Sequence, residues 1–149
     1  MKLMVIHGPN LNLLGVREPG VYGKDSYDTL TAGIAAYAEK QGAEVEFVQT
    51  NHEGGIVDAI HRAYFEHFDG ILLNPGAYTH YSYAIFDAVK SVPLPCVEIH
   101  LSNVHAREEF RRTSVVAPAC IGQIAGFGAF GYRMAIDALI DRLGGGRHA

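Results

Sequence analysis

The hydrophobic and polar positions along the chain change their period several times, and these changes predict alternating strands and helices. Short runs that are apolar throughout indicate buried strands, whereas apolar residues three and four apart indicate one face of a helix. The predicted strands are 2–7, 43–50, 70–73, 96–101 and 119–125. The predicted helices are 29–41, with Asp25 or Ser26 as its cap, and 53–68, 81–91 and 129–143.

This order of elements predicts an α/β fold. Strands that are apolar on both faces are typical of a parallel sheet covered by helices. Because parallel neighbours are joined by right-handed crossovers, we expect a flavodoxin-like, doubly wound five-stranded parallel sheet in a three-layer αβα sandwich. The length of 149 residues, without a linker or a repeat, predicts a single domain over 1–149.

Composition narrows the classes of function. The net charge is −4 and no basic tract occurs, which argues against a nucleic-acid partner. No signal-peptide pattern and no apolar run of membrane-spanning length is present, so we expect a cytoplasmic protein without a membrane partner. Cys96 and Cys120 both lie in apolar runs. Buried thiols in a reducing compartment are therefore favoured over a disulfide.

The densest group of polar residues follows the fourth predicted strand, where residues 98–112 read EIHLSNVHAREEFRR. Glu98 and His100 are two apart, so on a strand they share one face, and the carboxylate can hold the imidazole in one tautomer. An arginine-rich helix is expected next, on which Arg107 and Arg111, four apart, share a face. This pattern indicates acid–base chemistry on an anionic substrate.

Further polar residues follow the other predicted strands. Asn10 follows the first strand, Asn51 the second, and Asn74 and His80 the third. Turn chemistry explains each of them alone. Because the carboxyl ends of parallel strands meet at one edge of the sheet, their convergence there predicts a ligand site.

The loop at 11–23 is long for a strand-to-helix connection, and long loops are often functional lids. Its glycines are candidate hinges, and it carries Arg17 and Tyr22. A guanidinium beside a phenol favours the phenolate, so the pair can form a base when the loop closes. The alternative is a flexible surface insertion.

Five segments resemble, in order and over nearly the whole chain, the type II 3-dehydroquinate dehydratases: GPNLNLLGVREPGVYG, QTNHEG, LNPGAYTH, EIHLSNVHAREEFRR and GQIAGFGAFGY. The resemblance implies a flavodoxin-like enzyme without a cofactor. It implies the loss of water from 3-dehydroquinate to give 3-dehydroshikimate, in aromatic biosynthesis or quinate breakdown. It also implies trimers grouped into dodecamers.

The resemblance further implies a role for each matching residue. Tyr22 is the implied base that takes a proton from C2, and Arg17 keeps Tyr22 ionised. Asn10 helps to hold the enolate, and His100, oriented by Glu98, protonates the leaving hydroxyl. The implied substrate-binding residues are Asn74, His80, Leu101, Ser102, Arg107, Arg111 and, from a neighbouring subunit, Asp87.

One region departs from the pattern of the family. Where many relatives carry an arginine, Phe86 precedes Asp87. This removes a charge from the expected boundary between subunits. Tyr78, Tyr81 and Tyr83 lie nearby, and the sequence leaves open whether they contact another subunit or pack within the chain.

Other chemistries find weaker support in the sequence. The lysine imine of the unrelated route to the same reaction needs a lysine in an apolar pocket, and Lys2, Lys24, Lys40 and Lys90 lack such surroundings. The eight histidines show no metal-binding spacing, so we expect no metal.

A binding or signalling module of the same fold is the alternative from another class. A phosphate-accepting module needs acidic residues where Asn10 and Asn74 stand, and a flavin binder needs a Ser/Thr-rich loop after the first strand. An inactive relative would lack Tyr22 or His100, and both are present.

Overall fold

The computed structural model describes residues 1–16, 18–22 and 25–144, with only the backbone of Pro19 and Tyr22. Five parallel strands form one sheet in the order β2-β1-β3-β4-β5, so the predicted doubly wound α/β fold is confirmed. The strands are β1 (Lys2–His7), β2 (Glu44–Gln49), β3 (Gly70–Asn74), β4 (Cys96–His100) and β5 (Gly122–Ala125). The helices are α1 (Pro19–Tyr22), α2 (Tyr27–Lys40), α3 (Glu53–Phe65), α4 (Tyr83–Ser91) and α5 (Phe130–Leu143).

The sheet separates two apolar clusters, which gives the three predicted layers. Along β1, Leu3 and Val5 point to the cluster that α2 and α5 cover, whereas Met4 and Ile6 point to the cluster under α3 and α4. All four side chains are fully buried. Because both faces of a central strand are covered, its sequence is apolar throughout.

The sequences of the edge strands are less apolar than that of β1, because these strands are less buried. β2 pairs only with β1, and its residues are partly exposed, which explains the alternating pattern of its sequence. The last strand begins at Gly122 rather than at residue 119, because Ala117–Ala119 form a 3₁₀ turn that contains Pro118. Proline removes a backbone donor and favours such a turn over a strand.

Serine caps set the starts of two helices. The Ser26 hydroxyl accepts a hydrogen bond from the Thr29 amide at 3.1 Å, so Ser26, rather than Asp25, caps α2. The Ser82 hydroxyl accepts from the Ile85 amide at 3.1 Å, and α4 therefore begins two residues later than predicted. The α3 helix ends at Phe65 rather than at residue 68, because His67 has a φ of 60°.

The prediction of an arginine-rich helix after β4 is wrong. Two 3₁₀ segments, Val104–Ala106 and Glu109–Arg112, stand in its place. Arg107 between them is extended (φ −113°, ψ −158°), so the chain cannot continue as a helix. The side chain of Asn103 caps the first segment by accepting from the His105 amide at 3.2 Å.

The cysteines are free thiols, Cys96 buried and Cys120 half-buried, with their sulfurs 3.8 Å apart. A hydrogen bond with Cys120, together with burial, holds the pKa of Cys96 well above its usual value. The thiol is therefore unreactive at neutral pH. Within the described ranges, no helix has the length and apolar character needed to span a bilayer.

Candidate active site

A pocket of about 70 Å³ opens where β1, β3 and β4 end, and it collects most of the predicted site residues. Its polar lining is Asn10, Asn74, His80, His100, Ser102, Arg107 and Arg111. Its apolar lining includes Leu11, Leu14, Ala77, Leu101 and Val104. The predicted convergence of polar residues at this edge of the sheet is confirmed.

Close backbone packing fixes the floor of the pocket. The Gly8 amide donates to the Asn74 carbonyl at 2.7 Å, and a Cβ on Gly8 would lie 2.6 Å from the carbonyl atoms of Pro75. Only glycine allows this contact between the loops after β1 and β3. Asn10 has a left-handed backbone (φ 71°), and its amide donates to Oδ1 of Asn51 at 3.1 Å.

Glu98 and His100 lie on one face of β4, as their spacing predicted. Oε2 of Glu98 accepts from Nε2 of His100 at 2.8 Å, and the two residues are 0% and 7% exposed. Because a carboxylate only accepts, Nε2 carries a proton, and Nδ1 is the ring nitrogen left for the pocket.

Two further side chains hold the Glu98 carboxylate. Oε1 accepts from the Ser114 hydroxyl at 2.8 Å, and Oε2 also accepts from the Gln123 amide. Burial raises the pKa of Glu98, but the hydrogen bonds from His100, Gln123 and Ser114 outweigh it and leave this pKa below its usual value. The carboxylate is therefore ionised at neutral pH.

His80 is also held in one tautomer. Its Nδ1 lies 2.8 Å from the Thr113 carbonyl oxygen, and a carbonyl only accepts, so Nδ1 carries the proton. Nε2 is then free to accept a hydrogen bond from a ligand hydroxyl in the pocket. The ring edge of Phe110 packs against His80, with the ring centroids 5.6 Å apart.

Two arginines make one wall of the pocket positive. Nη1 of Arg107 donates to the Ser102 hydroxyl at 3.3 Å, and Nη2 lies 3.7 Å from Oε2 of Glu18. Nε of Arg111 donates to Oε2 of Glu108 at 3.0 Å. A backbone hydrogen bond and the Arg111 guanidinium lower the pKa of Glu108, which keeps that carboxylate ionised. Each arginine is thus oriented by an acidic neighbour, and together they suit an anionic ligand.

Glu98 does not line the pocket itself and reaches it through His100, and three more predicted residues are not placed in it. Asp87 is exposed on α4 and does not line the pocket of its own chain. Arg17 and the side chain of Tyr22 lie outside the described residues, so the predicted base stays a prediction. The structure describes the backbone of Val16 and Glu18, on either side of Arg17, and the α1 helix ends at Tyr22.

Sequence reasoning missed the two residues that hold the Glu98 carboxylate. Ser114 bonds to Glu98 across 16 positions of the sequence, and Gln123 across 25. Neither belongs to a local pattern with its partner. The one available signal was the pairing of neighbouring strands, which places Gln123 opposite Glu98.

A larger neighbouring cleft lacks this chemistry. A cleft of about 320 Å³ lies between α2 and α5 and shares Leu14 and Leu101 with the smaller pocket. Its lining is mostly apolar, so the reactive groups lie in the smaller one. Among the described residues, no group of three His, Cys, Asp or Glu side chains is arranged to hold a metal ion.

Comparisons with known proteins agree with this geometry. The model of the family described as Dehydroquinase class II matches residues 1–140. A 3-dehydroquinate dehydratase of Caldicellulosiruptor bescii is 61% identical over 142 residues, which cover 95% of this chain and 98% of that protein.

Two solved structures share the fold. The type II dehydroquinase of Butyrivibrio crossotus superposes with a TM-score of 0.92 at 56% identity, covering 93% of this chain and 97% of that one. That of Propionibacterium acnes gives a TM-score of 0.89 at 42% identity, covering 93% and 94%. With a family match over nearly the whole length and a buried acid–imidazole pair facing two arginines, the chain belongs to the class II dehydroquinase family, the type II 3-dehydroquinate dehydratases.

Proposed function

We propose that this chain removes water from 3-dehydroquinate through an enolate, with a tyrosinate base and a histidine acid. The Tyr22 phenolate takes the C2 proton, and the electron pair moves into the neighbouring C3 carbonyl to give the enolate. The enolate then expels the C1 hydroxyl, which leaves as water with a proton from His100. The product is the conjugated enone 3-dehydroshikimate.

The observation that carries this proposal is the Glu98–His100 pair, whose imidazole lines the pocket. A hydroxyl is a poor leaving group and needs a proton donor. Ionised Glu98 holds the His100 ring by a charge-assisted hydrogen bond, and the burial of both residues strengthens their interaction. The proton reaches the leaving group from the ring nitrogen on the pocket side.

The other lining residues fit the remaining parts of the substrate. Arg111 and the backbone of Leu101 and Ser102 bind its carboxylate, with Arg107 next to them. Asn74 and His80 bind its hydroxyls, since each offers one oriented amide or imidazole group to the pocket. Asn10 holds the enolate, and Arg17 keeps Tyr22 ionised. Binding the carboxylate fixes the ring between base and acid, which lowers the barrier by orientation.

The experiment follows enone absorbance after purified protein is mixed with 3-dehydroquinate. Tyr22→Phe and His100→Ala should each abolish turnover, while Tyr22→Phe still binds substrate in calorimetry. Borohydride treatment in the presence of substrate, followed by dialysis, should leave activity intact because no imine forms. Near-normal turnover in Tyr22→Phe would remove the assigned base, and inactivation by borohydride would show imine chemistry instead.

A further inference from the structure

One short segment, Thr113, Ser114 and Val115, bridges the two histidines of the pocket, and we name it the bracing segment. The Thr113 carbonyl accepts from Nδ1 of His80, and the Val115 amide donates to the Thr79 carbonyl, each at 2.8 Å. Between them, the Ser114 hydroxyl donates to Oε1 of Glu98 at 2.8 Å. The segment therefore contacts both the residues that carry His80 and the carboxylate that holds His100.

The directions of the hydrogen bonds at Ser114 follow from its partners. Its hydroxyl has one proton, and this proton goes to Glu98 because an ionised carboxylate only accepts. The Ala117 amide donates to the Ser114 oxygen at 2.9 Å. The Thr79 hydroxyl lies 2.9 Å from the same oxygen and must then donate to it. Ser114 thus accepts two hydrogen bonds and has a single direction in which to donate.

Burial makes this donation hard to replace. Glu98 is 0% exposed and Thr79 is 1% exposed. A buried carboxylate oxygen that loses its donor pays the full cost of desolvation. The titratable partners of Glu98 in the described contacts are His100 and Cys96, both on β4, whereas Gln123 on β5 and Ser114 are uncharged. The two neutral donors therefore favour the ionised carboxylate without adding a charge.

We infer that Ser114 is a positioning residue of the reaction, acting through Glu98 to keep the ring of His100 oriented as the acid. The role rests on the proposed function, because it matters for turnover only if His100 donates the proton. Ser114 does not line the pocket. The same segment holds His80 through a backbone carbonyl, so the acid and a substrate-binding histidine share one support.

The first test compares Ser114→Ala with Thr79→Val. Both variants remove the Thr79–Ser114 hydrogen bond, but only Ser114→Ala removes the donor to Glu98. We expect Ser114→Ala to lower kcat at least about tenfold with KM changed less than about threefold. Thr79→Val should keep kcat and KM near the wild-type values, because Glu98 keeps its donor.

Ser114→Thr serves as the conservative control, since it keeps a hydroxyl at the same place. It should restore most of the turnover. If Thr79→Val and Ser114→Ala lose the same activity, Ser114 only ties two segments together and the inference fails.

The second test needs no turnover. The ring signals of His100, assigned by their absence in His100→Gln, are compared by NMR in the free protein at one fixed pH. In Ser114→Ala these signals should move or broaden, because the ring loses the orientation that Glu98 gives it, and in Thr79→Val they should stay at the wild-type positions. Unchanged His100 signals in Ser114→Ala overturn the inference even if the enzyme is active. Changed signals in a protein that does not dehydrate 3-dehydroquinate support the link to His100 and refute the proposed function alone.

Discussion

His7 shows how a single residue couples the fold to pH. The ring is 0% exposed, with Nδ1 3.0 Å from the Tyr27 hydroxyl and Nε2 2.8 Å from the Tyr132 hydroxyl. Burial lowers the pKa of His7 to about 3, so the ring is neutral in the folded protein. A neutral ring has one donor and one acceptor nitrogen, which means that one tyrosine donates to it and the other accepts.

This buried ring predicts a loss of stability in mild acid. An unfolded histidine titrates near pH 6.5, so below that pH the unfolded chain binds a proton that the folded chain excludes. The contribution is complete above about pH 6.5 and falls by about 1.4 kcal/mol for each pH unit below it, until the folded pKa is reached. Urea denaturation at pH 7 and pH 5.5, at fixed protein concentration, should show this loss.

The matched variants for this prediction are His7→Gln and His61→Gln. His7→Gln removes the buried ring. The free energy of unfolding of this variant should therefore lose about 1.4 kcal/mol less than that of the wild type for each pH unit below about pH 6.5. His61 is exposed on α3, so its replacement should leave the wild-type slope in place. Equal slopes in the wild type and His7→Gln would contradict the assignment.

Arg111 is predicted to act in binding more than in chemistry. It lines the pocket, whereas its neighbour Arg112 is exposed and does not. Arg111→Ala should raise KM for 3-dehydroquinate by roughly ten- to a hundredfold, as expected for a lost hydrogen bond between charged groups, with a smaller change in kcat. Arg112→Ala is the control and should resemble the wild type in steady-state kinetics. An unchanged KM in Arg111→Ala would place the carboxylate elsewhere.

At the scale of the elements, the order of strands and helices was predictable because the apolar or alternating pattern of each strand reflects how deeply that strand is buried. β1 and β3 are apolar on both faces, and β2 alternates at the sheet edge. Element ends were less predictable, because caps and left-handed residues such as Ser82 and His67 decide them.

In the site, too, contacts between residues close in the sequence were predictable and contacts between distant residues were not. The Glu98–His100 contact was predictable because two residues on one strand face need no knowledge of the rest of the fold. Arg107 and Arg111 were assigned to the right pocket for the wrong reason, since 3₁₀ turns, not a helix face, bring them together. Ser114 was unpredictable, since its contact depends on the path of the chain after β4.

The close contact at the ends of β1 and β3 predicts that Gly8 cannot be replaced. A methyl group there would meet the Pro75 backbone at 2.6 Å, so the two loops must separate. Gly8→Ala should lower the free energy of unfolding by about 1–3 kcal/mol and reduce kcat/KM, because the same loops carry Asn10 and Asn74. Denaturation and kinetics measure the two effects.

Gly33 in α2 provides the contrasting control. Nothing lies within 4 Å of a Cβ added there, and the residue is exposed within a helix. Gly33→Ala should therefore raise stability by about 0.5–1 kcal/mol, as expected for glycine in a helix. If Gly8→Ala is as stable as the wild type, the backbone contact does not constrain the site.

At the scale of the whole molecule, the surface around α4 is unusual for a single chain. Tyr81 and Tyr83 are 60% and 72% exposed, so packing within the chain does not account for them. Asp87 on the same helix is exposed and away from the pocket of its own chain. We therefore propose that α4 lies at a subunit boundary of a homo-oligomer and that Asp87 completes the pocket of a neighbour.

Mixed oligomers test this arrangement. If two subunits carry different substitutions, one of them can supply an intact Tyr22 and its neighbour an intact Asp87 to the same site. Tyr22→Phe and Asp87→Ala should each be nearly inactive alone. If they are co-expressed in equal amounts, about a quarter of the sites in a symmetric assembly combine an intact Tyr22 with an intact neighbouring Asp87, and activity should recover to that level. Tyr22→Phe mixed with His100→Ala is the control, since both residues are assigned to the site of one chain and no intact site can form. Recovery in the control, or none in the test mixture when light scattering shows mixed oligomers, would mean that Asp87 does not complete a neighbouring site.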